Sequence, residues 1–413
     1  MKLARRFFSL LTLILLTGCL SSVSLPEKFQ TLAYKPSGQN SKFDYKGDTF
    51  AGYIEHTKNK IRSVRQNTPG IPASESVING NAPFEIIPTN AEVGSTHQYK
   101  RAVILVHGAF GSPYELREIA QKYAKMGFIV RAPLLPGHGT IPGDQLKSGF
   151  KDWSKAVDFA IKSTQKIADE VHLAGYSVGA GIAILKAYDY PIKTVALFSP
   201  LVEINSSIEQ YSGIAAGVGS VLSKAHWSSL SAPNNPYKYN TMSFKTISES
   251  HLLQKRIVSR IKKPLGIPVF AVASEDDYTA LFSATMNFFK KLPNPNSRFI
   301  LYTTKPLKNK DARIKSVRSD KASGRILNTS HLSIVSPRSN PVYGINGSAK
   351  LCNIYKKDPV KLEKCLSAPS NSVYFSEYNA MDKDDSKIYR RISFNPFFGQ
   401  MINDLSKFLR SAG

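Results

Sequence analysis

Two short, mainly apolar runs that stop at glycines constrain the fold of this chain more than any other feature. Residues 101–106 lead into a His-Gly pair, and residues 171–174 lead into Gly-Tyr-Ser-Val-Gly at 175–179. Such a run, ended by a tight turn, is typical of a buried parallel strand. A G-x-S-x-G bend between a strand and a helix lifts the serine hydroxyl above the sheet, and larger residues than glycine would clash there. Ser177 is therefore predicted to be a nucleophile.

Predicted strands and helices alternate along most of the chain. The strands are expected at 101–106, 128–132, 171–174, 194–198, 267–273 and 299–302, and the helices at 113–126, 151–168, 178–188, 279–290 and 397–409. Alternation of this kind produces right-handed βαβ units, in which neighbouring strands are parallel and helices cover the sheet. The predicted fold class is α/β, a doubly wound and mostly parallel sheet in one domain over residues 99–413.

Several stretches depart from this alternation. Residues 203–262 contain scattered apolar side chains without a strand-like run, and we expect an inserted helical cap there. Residues 304–325 are strongly basic and hydrophilic, which favours a mobile excursion. Residues 335–390 form a long polar insertion that holds two cysteines. Ahead of the domain, residues 20–98 are rich in Asn, Pro, Gly and Ser and are expected to be a tether and an N-terminal extension, with a short helix at 50–65.

The first nineteen residues have the pattern of an export signal. Lys2, Arg5 and Arg6 precede an apolar stretch at 7–16 that is short for a membrane span. This stretch leads through Leu-Thr-Gly to Cys19, which resembles a bacterial lipobox, where the signal is cut and the cysteine thiol carries diacylglycerol. A plain secretory signal with an incidental cysteine is the alternative. Because no Asp follows the cysteine, the resemblance favours the outer membrane over the inner membrane.

The two other cysteines, Cys352 and Cys365, lie thirteen residues apart. An exported protein enters an oxidising compartment, where such a pair closes a small loop with a disulfide. The chain-entropy model gives about 3 kcal/mol of stabilisation for a loop of that size. Two free thiols are the alternative, because spacing alone does not fix the pairing.

The chain carries a formal net charge of +25, from 55 Lys and Arg against 30 Asp and Glu. A basic surface is typical of proteins that work beside anionic phospholipid headgroups, and nucleic acid is the rival partner. Export, and the lack of the aromatic and basic strand patterns of nucleic-acid modules, argue against nucleic acid. General solubility is the remaining explanation of the charge.

A serine nucleophile needs a base that accepts its proton and a carboxylate that fixes the tautomer of that base. In a parallel α/β sheet these groups gather at the carboxyl ends of strands, in the chain order Ser, acid, His. Of the eight histidines, His331 is the one that follows the acidic loop at 275–277. His107 and His138 also lie at predicted strand ends. His107 is expected to buttress the loop that supplies an oxyanion donor, and His138 is expected in a turn that lines the substrate pocket. His331 is therefore the predicted base.

The acidic loop offers three carboxylates, Glu275, Asp276 and Asp277. Strand ends of this kind usually read Gly/Ser-x-x-Asp, and Ser274 begins that pattern here. Asp277 is therefore the predicted acid, and Asp276 is the alternative.

An acyl-transfer reaction develops an oxyanion that needs two backbone N–H donors. Val178 follows the nucleophile at the start of a predicted helix and is expected to supply one donor. Ala109, which follows the His-Gly pair at 107–108, is expected to supply the other. Because no cluster of His and Asp has the spacing of metal ligands, neither a metal ion nor a cofactor is expected.

Together these motifs resemble the α/β-hydrolase superfamily, nearest its branch of carboxylesterases, monoacylglycerol lipases and serine aminopeptidase-like enzymes. The matching stretches are Leu-Val-His-Gly at 105–108, Ser-Pro at 112–113, Leu-Pro-Gly-His-Gly-Thr at 135–140, Asp-Trp at 152–153, Gly-Tyr-Ser-Val-Gly at 175–179, residues 268–277 and Ser-His at 330–331. The resemblance implies an α/β-hydrolase fold with a cap, and a serine hydrolase with a triad formed by Ser177, His331 and Asp277. The N-terminal region and the insertion lie outside it.

The expected substrate is a carboxylic ester, which Ser177 attacks to give an acyl-enzyme that water then hydrolyses. The predicted lipid anchor and the basic charge favour lysophospholipids or monoacylglycerols, with the cap as an acyl-binding wall. An aminopeptidase is the enzymatic alternative, and it would bind the substrate ammonium through Glu203, Glu209 or Glu249 in the cap. A non-catalytic lipoprotein scaffold is the alternative from another class. The oligomeric state does not follow from the sequence.

Overall fold

A computed structural model of the chain describes residues 29–205, 226–231, 235–306, 309–378, 381, 384 and 386–412. The strands are β1 Phe84–Ile86, β2 Tyr99–Val106, β3 Ile129–Ala132, β4 Ala168–Tyr176, β5 Val195–Phe198, β6 Trp227–Ser229, β7 Met242–Ser243, β8 Val269–Ser274, β9 Arg298–Thr303, β10 Ile314–Arg318, β11 Tyr374–Ser376 and β12 Tyr389–Arg391. The α-helices are α1 Phe50–Gln66, α2 Glu75–Asn81, α3 Arg117–Lys125, α4 Phe150–Gln165, α5 Val178–Asp189, α6 Phe244–Arg260, α7 Phe282–Lys290, α8 Pro359–Ser367 and α9 Phe398–Ser411.

Eight of these strands form one sheet in the order β1-β3-β2-β4-β5-β8-β9-β10. β1 runs antiparallel to β3, and the remaining neighbours in the sheet are parallel. The strand order reverses around β2, since β3 lies on one side of it and β4 on the other. In open α/β sheets the ligand crevice lies at such a reversal, outside the carboxyl ends of the strands. The predicted α/β class with a mostly parallel sheet is confirmed.

Both faces of this sheet are buried. In β2, Ile104 and Val106 belong to the core on one face, and Val103 and Leu105 belong to the core on the other. Helices α4, α5, α6 and α7 cover the first face, and α3 and α9 cover the second. Each fully buried Val, Leu or Ile side chain contributes about 1.5–3 kcal/mol. Burial on both sides explains why β2 is apolar at consecutive positions instead of alternating with polar residues.

The described part of the N-terminal extension packs against the domain, which differs from the expected tether. The Tyr34 ring lies edge-on to Trp227 with ring centroids 6.0 Å apart. The Ser37 N–H donates to an Asp144 carboxylate oxygen at 2.7 Å. Residues 66–98, where no helix or strand is predicted, contain α2 and the edge strand β1. A helix of seven residues and a strand of three are too short to show a clear period in the sequence.

The predicted signal segment and Cys19 lie outside the described residues. Within the described part of the chain, no helix combines the length and the apolar composition that a membrane span requires. The lipid anchor therefore stays a prediction.

The basic stretch at 304–325 contains an edge strand, which corrects the expectation of a mobile excursion. β10 lies parallel to β9. Its cations are paired, Lys315 with Asp404 at 2.6 Å and Arg318 with Asp320 at 2.6 Å. Charged side chains suit an edge strand because they hinder pairing with another chain. The high content of Lys and Arg, which led to the prediction of a mobile segment, is thus typical of an edge strand.

The predicted cap is described in part, since residues 206–225 and 232–234 lie outside the described residues. Its described residues form the two-stranded β6–β7 pair and helix α6. α6 packs closely on α5, because a Cβ atom at Gly181 would come within 2.7 Å of Ile257 Cδ1. α6 therefore belongs to the layer that covers the sheet.

The insertion at 335–390 folds as α8 and the parallel pair β11–β12. A disulfide joins Cys352 to Cys365, which is the pairing expected for an exported protein, and the two thiols are not free. The Arg391 N–H at the end of β12 donates to the carbonyl of Leu351 at 3.0 Å. The covalent loop therefore lies directly beside β12.

Candidate active site

Ser177 lies in the bend between β4 and α5. Its backbone φ and ψ are 55° and −119°, a conformation that L-residues rarely adopt. A Cβ atom at Gly175 would come within 2.4 Å of the Gly179 carbonyl oxygen, and one at Gly179 within 2.1 Å of the Val106 carbonyl oxygen. Both glycines are therefore needed for the start of α5 to pack against β4 and β2. The bend projects the Ser177 side chain at the carboxyl end of the sheet.

His331 begins a short 3-10 turn that ends at Ser333. Its Nε2 atom lies 2.8 Å from Ser177 Oγ. Its carbonyl oxygen accepts hydrogen bonds from the Tyr176 hydroxyl at 3.3 Å and from Ser199 Oγ at 3.1 Å. Because Tyr176 ends β4 and Ser199 follows β5, these bonds attach the histidine backbone to two central strands.

Asp277 follows β8, and its Oδ2 atom lies 2.7 Å from His331 Nδ1. Its Oδ1 atom accepts the N–H groups of Thr279 at 2.7 Å and Ala280 at 2.8 Å. Since a carboxylate accepts hydrogen bonds, the imidazole proton lies on Nδ1. Nε2 then faces the Ser177 hydroxyl with its lone pair, as a general base requires.

The two other carboxylates of this loop have different surroundings. Thr303 Oγ1 on β9 donates to the Glu275 carboxylate. Burial raises the pKa of Asp276 to about 6. Among these three described carboxylates, Asp277 is the one in hydrogen-bond contact with His331. The structure thus brings together the three side chains predicted as nucleophile, base and acid, with Asp277 in the place of the acid.

The loop that follows β2 passes close to Ser177. A Cβ atom at Gly108 would lie 3.0 Å from the Tyr176 ring and 3.3 Å from Ser177 Cβ. Such a short approach requires a residue without a side chain at this position. The peptide that links Gly108 to Ala109 therefore lies beside the nucleophile.

His107 fixes the orientation of that peptide. Its Nδ1 donates to the Gly108 carbonyl oxygen at 2.8 Å, while its Nε2 accepts the Leu135 N–H at 3.1 Å. The C=O and N–H of a trans peptide point in opposite directions. Because His107 holds the carbonyl, the Ala109 N–H points away from His107. This matches the expected buttressing role of His107.

Val178 is the first residue of α5, where N–H groups have no acceptor within the helix and carry partial positive charge. Over the described ranges, neither the Val178 N–H nor the Ala109 N–H donates to a protein acceptor. Two unengaged amides near a serine hydroxyl are the donor pair that an oxyanion requires.

His138 is fully buried and does not line an open pocket. Its ring lies edge-on to His107 with centroids 5.2 Å apart, and its Nδ1 lies 3.1 Å from the Pro136 carbonyl oxygen. Burial lowers the pKa of His138 to about 4 and that of His107 well below its ordinary value. Both imidazoles are therefore neutral at neutral pH, so they act through hydrogen bonds and packing.

Sequence reasoning missed a segment of the predicted cap that covers the Ala109 loop. The Tyr239 N–H donates to the Phe110 carbonyl at 2.8 Å, and Ser112 Oγ donates to the Tyr237 carbonyl at 3.0 Å. The Tyr237 ring stacks on Tyr114 with centroids 3.7 Å apart. These contacts join residues that are more than 120 positions apart and partly involve backbone atoms, so they produce no local pattern in the sequence.

A buried ion pair lies in the same segment. Lys238 Nζ binds Glu115 Oε1 at 2.6 Å, and both side chains are largely buried. Burial raises the pKa of Glu115, and Lys238 opposes that rise. Together with Tyr176 and Leu332, the pair lines a small cavity beside the His331 turn.

Two bacterial enzymes are similar to part of this chain. The chain is 29% identical over 207 residues to the thermostable monoacylglycerol lipase of Bacillus sp. strain H-257, a match that covers 49% of this chain and 76% of that protein. It is 27% identical over 115 residues to the carboxylesterase of Bacillus subtilis strain 168, covering 28% of this chain and 47% of that protein.

Among solved structures, the monoacylglycerol lipase of Paleococcus ferrophilus matches with a TM-score of 0.43 and 18% identity, over 54% of this chain and 88% of that one. A family model of hydrolases, described as serine aminopeptidase S33, matches residues 97–305, just over half of the chain. The expectation of a serine hydrolase with the α/β-hydrolase fold is thereby confirmed. The chain belongs to the serine aminopeptidase S33 family of α/β-hydrolases.

Proposed function

We propose that this protein hydrolyses carboxylic esters of lipids through an acyl-enzyme, with Ser177 as nucleophile, His331 as general base and Asp277 as its orienting carboxylate. The observation that carries the proposal is the continuous hydrogen-bonded line from Ser177 Oγ through His331 to Asp277, with distances of 2.8 Å and 2.7 Å. Homology to a lipase and a carboxylesterase supports ester hydrolysis.

The first half-reaction forms the acyl-enzyme. Ser177 Oγ attacks the ester carbonyl carbon while His331 Nε2 takes the hydroxyl proton, and Asp277 stabilises the imidazolium that results. The carbonyl oxygen becomes an oxyanion that accepts hydrogen bonds from Ala109 N–H and Val178 N–H. The intermediate collapses as His331 returns its proton to the leaving alcohol.

The second half-reaction releases the acid. Water takes the place of the alcohol, gives a proton to His331 Nε2 and attacks the acyl carbon. The same two amides hold the second oxyanion, and loss of one such donor typically costs about 3 kcal/mol of transition-state stabilisation. Collapse of this intermediate frees the carboxylic acid and restores the Ser177 hydroxyl.

The substrate class is proposed to be lysophospholipids or monoacylglycerols. The name of the Bacillus lipase, a monoacylglycerol lipase, supports an acylglycerol substrate. The net charge of +25 supports work beside anionic headgroups.

The aminopeptidase alternative needs a carboxylate that is available to a substrate ammonium. Glu249 is largely buried and engaged, since it accepts the Phe150 N–H at 3.0 Å and binds Lys245 Nζ at 2.5 Å. Glu209 lies outside the described residues. Glu249 is therefore not available to a substrate ammonium, whereas Glu203 is half-buried and stays a candidate for that role.

A panel of p-nitrophenyl acyl esters, monoacylglycerols and lysophospholipids, assayed beside aminoacyl p-nitroanilides, tests this proposal. We expect the esters to be hydrolysed and Ser177→Ala to lose the activity by about 10⁴-fold or more, since it removes the nucleophile. Ser372→Ala, an exposed serine on the insertion, is the matched control and keeps the wild-type rate. Faster turnover of the anilides than of the esters would overturn the ester assignment.

The orientation of the Ala109 N–H by His107 gives a second test. His107→Phe keeps a ring but removes the donor to the Gly108 carbonyl, so kcat for an ester is expected to fall by about 10²-fold, with KM nearly unchanged. His107→Gln retains an N–H donor and is expected to recover part of this loss. A His107→Phe enzyme with wild-type kcat contradicts the proposed role of this peptide.

We further propose that the protein is an exported lipoprotein held in the outer membrane through lipid on Cys19. The support is the lipobox-like pattern of the first nineteen residues. Fractionation of the producing bacterium is expected to place the wild type with the outer membrane and Cys19→Ser in the soluble fraction. A Cys19→Ser protein that stays in the outer membrane contradicts this anchor.

A further inference from the structure

Glu377, which follows β11, and Arg391, the last residue of β12, form a buried ion pair that we call the clamp pair. Arg391 Nε donates to Glu377 Oε1 at 2.6 Å, and Arg391 Nη2 donates to Oε2 at 2.7 Å. The Glu377 side chain is completely buried and that of Arg391 is 12% exposed. Burial alone would lower the pKa of Arg391, but the Glu377 carboxylate raises it above its ordinary value. A guanidinium that binds both carboxylate oxygens fixes the orientation of each partner.

The clamp pair and its strands contact the His331 turn. Glu377 Oε2 accepts the His331 N–H in a long hydrogen bond of 3.4 Å. The Glu377 N–H donates to Asn328 Oδ1 at 2.7 Å, and Ser330 Oγ donates to the Ile392 carbonyl at 2.7 Å. The residues before and at the predicted base are therefore attached to the residues that directly follow β11 and β12.

Arg391 also reaches the loop of the predicted acid. Its Nη2 donates to Thr279 Oγ1 at 3.3 Å, and the Thr279 N–H donates to Asp277 Oδ1 at 2.7 Å. Its guanidinium lies over the Tyr378 ring, 4.7 Å from the centroid, which restricts its position further. The clamp pair thus contacts both the loop that holds His331 and the loop that holds Asp277, the two side chains that must meet in the triad.

The charges around His331 come from three directions. Asp277 faces it from the loop after β8, and the clamp pair faces it from the insertion. The Glu115–Lys238 pair lines the small cavity beside the His331 turn. Each of the two pairs sums to no net charge, so removal of a single member changes the field at the imidazole.

We propose that the clamp pair positions His331 and Asp277 for the reaction, so that the insertion helps to set the geometry of the triad. This inference rests on the proposed function. Both members are positioning residues, because they act on the reaction through the two loops that they hold. A displacement of about 1 Å in a reacting group can cost about 10²-fold in rate, so a modest shift of either loop would be visible in kcat.

Glu377→Gln and the double variant Glu377→Gln/Arg391→Gln separate this role from simple support of the fold. The matched control is Asp320→Asn, which removes the carboxylate of a half-buried Arg–Asp pair with Arg318 on the edge of the sheet. The assay is the pH profile of kcat and kcat/KM for the best p-nitrophenyl ester, at a temperature where circular dichroism shows each variant folded.

For Glu377→Gln we expect kcat to fall by about 10- to 100-fold with little change in KM. Arg391 cannot lose its proton near neutral pH, so its unbalanced charge disfavours the imidazolium. The acidic limb of the profile is then expected to move to lower pH by on the order of one unit. The double variant removes both charges and returns the limb to its wild-type position while kcat stays low. Asp320→Asn leaves both quantities unchanged.

Wild-type kcat in Glu377→Gln overturns the inference. A lower kcat without a shift of the acidic limb also overturns it, because that result indicates support of the fold alone. If Glu377→Gln does not fold, Arg391→Lys is tested instead. This variant keeps the positive charge but loses the bidentate contact with Glu377, so we expect kcat to fall while the acidic limb of the pH profile keeps its wild-type position. Wild-type kcat in Arg391→Lys would again contradict the positioning role. A wild-type protein without Ser177-dependent ester hydrolysis refutes the proposed function itself, whereas an active wild type with unaffected variants refutes the clamp pair alone.

Discussion

The hydrogen bond between Asp277 and His331 is the interaction on which the candidate active site depends. It joins two loops that are 54 residues apart and assigns the imidazole proton to Nδ1, so that Nε2 is left to face Ser177. Without a fixed tautomer the serine would have no base, however well the oxyanion donors were placed. The fold brings the three groups together because β4 and β8 end at the same edge of the sheet, and because Tyr176 and Ser199 hold the His331 carbonyl.

The parts of the site that the sequence predicts are those set by local geometry. The bend at Ser177 needs glycines two residues away on either side, since added Cβ atoms would collide with backbone oxygens. This requirement appears in the sequence as the G-x-S-x-G motif at 175–179. The loop that holds Ala109 can be recognised in the sequence for the same reason, because Gly108 is required where the loop passes close to Ser177. His331 and Asp277 follow from chain order, because each side chain must end on a particular strand edge.

What escaped prediction depends on contacts between distant segments. The edge strand β10 is rich in lysine and arginine, whose charges are neutralised by partners such as Asp404 that no local window includes. The N-terminal segment at 29–49 is held by single side chains such as Ser37 and gives no period. The clamp pair belongs to an insertion outside the family match at 97–305, so neither motif nor resemblance could indicate that it contacts the His331 turn.

The proposed reaction requires a reactive serine whose nucleophilicity depends on His331. The most direct measurement is the rate at which a fluorophosphonate labels the purified protein, with the modified peptide located by mass spectrometry in the wild type and in His331→Ala. We expect one adduct, on Ser177, formed at least about 10²-fold more slowly in the variant because the general base is gone. An adduct on another residue, no adduct at all, or equal rates in the two proteins would contradict the proposed mechanism.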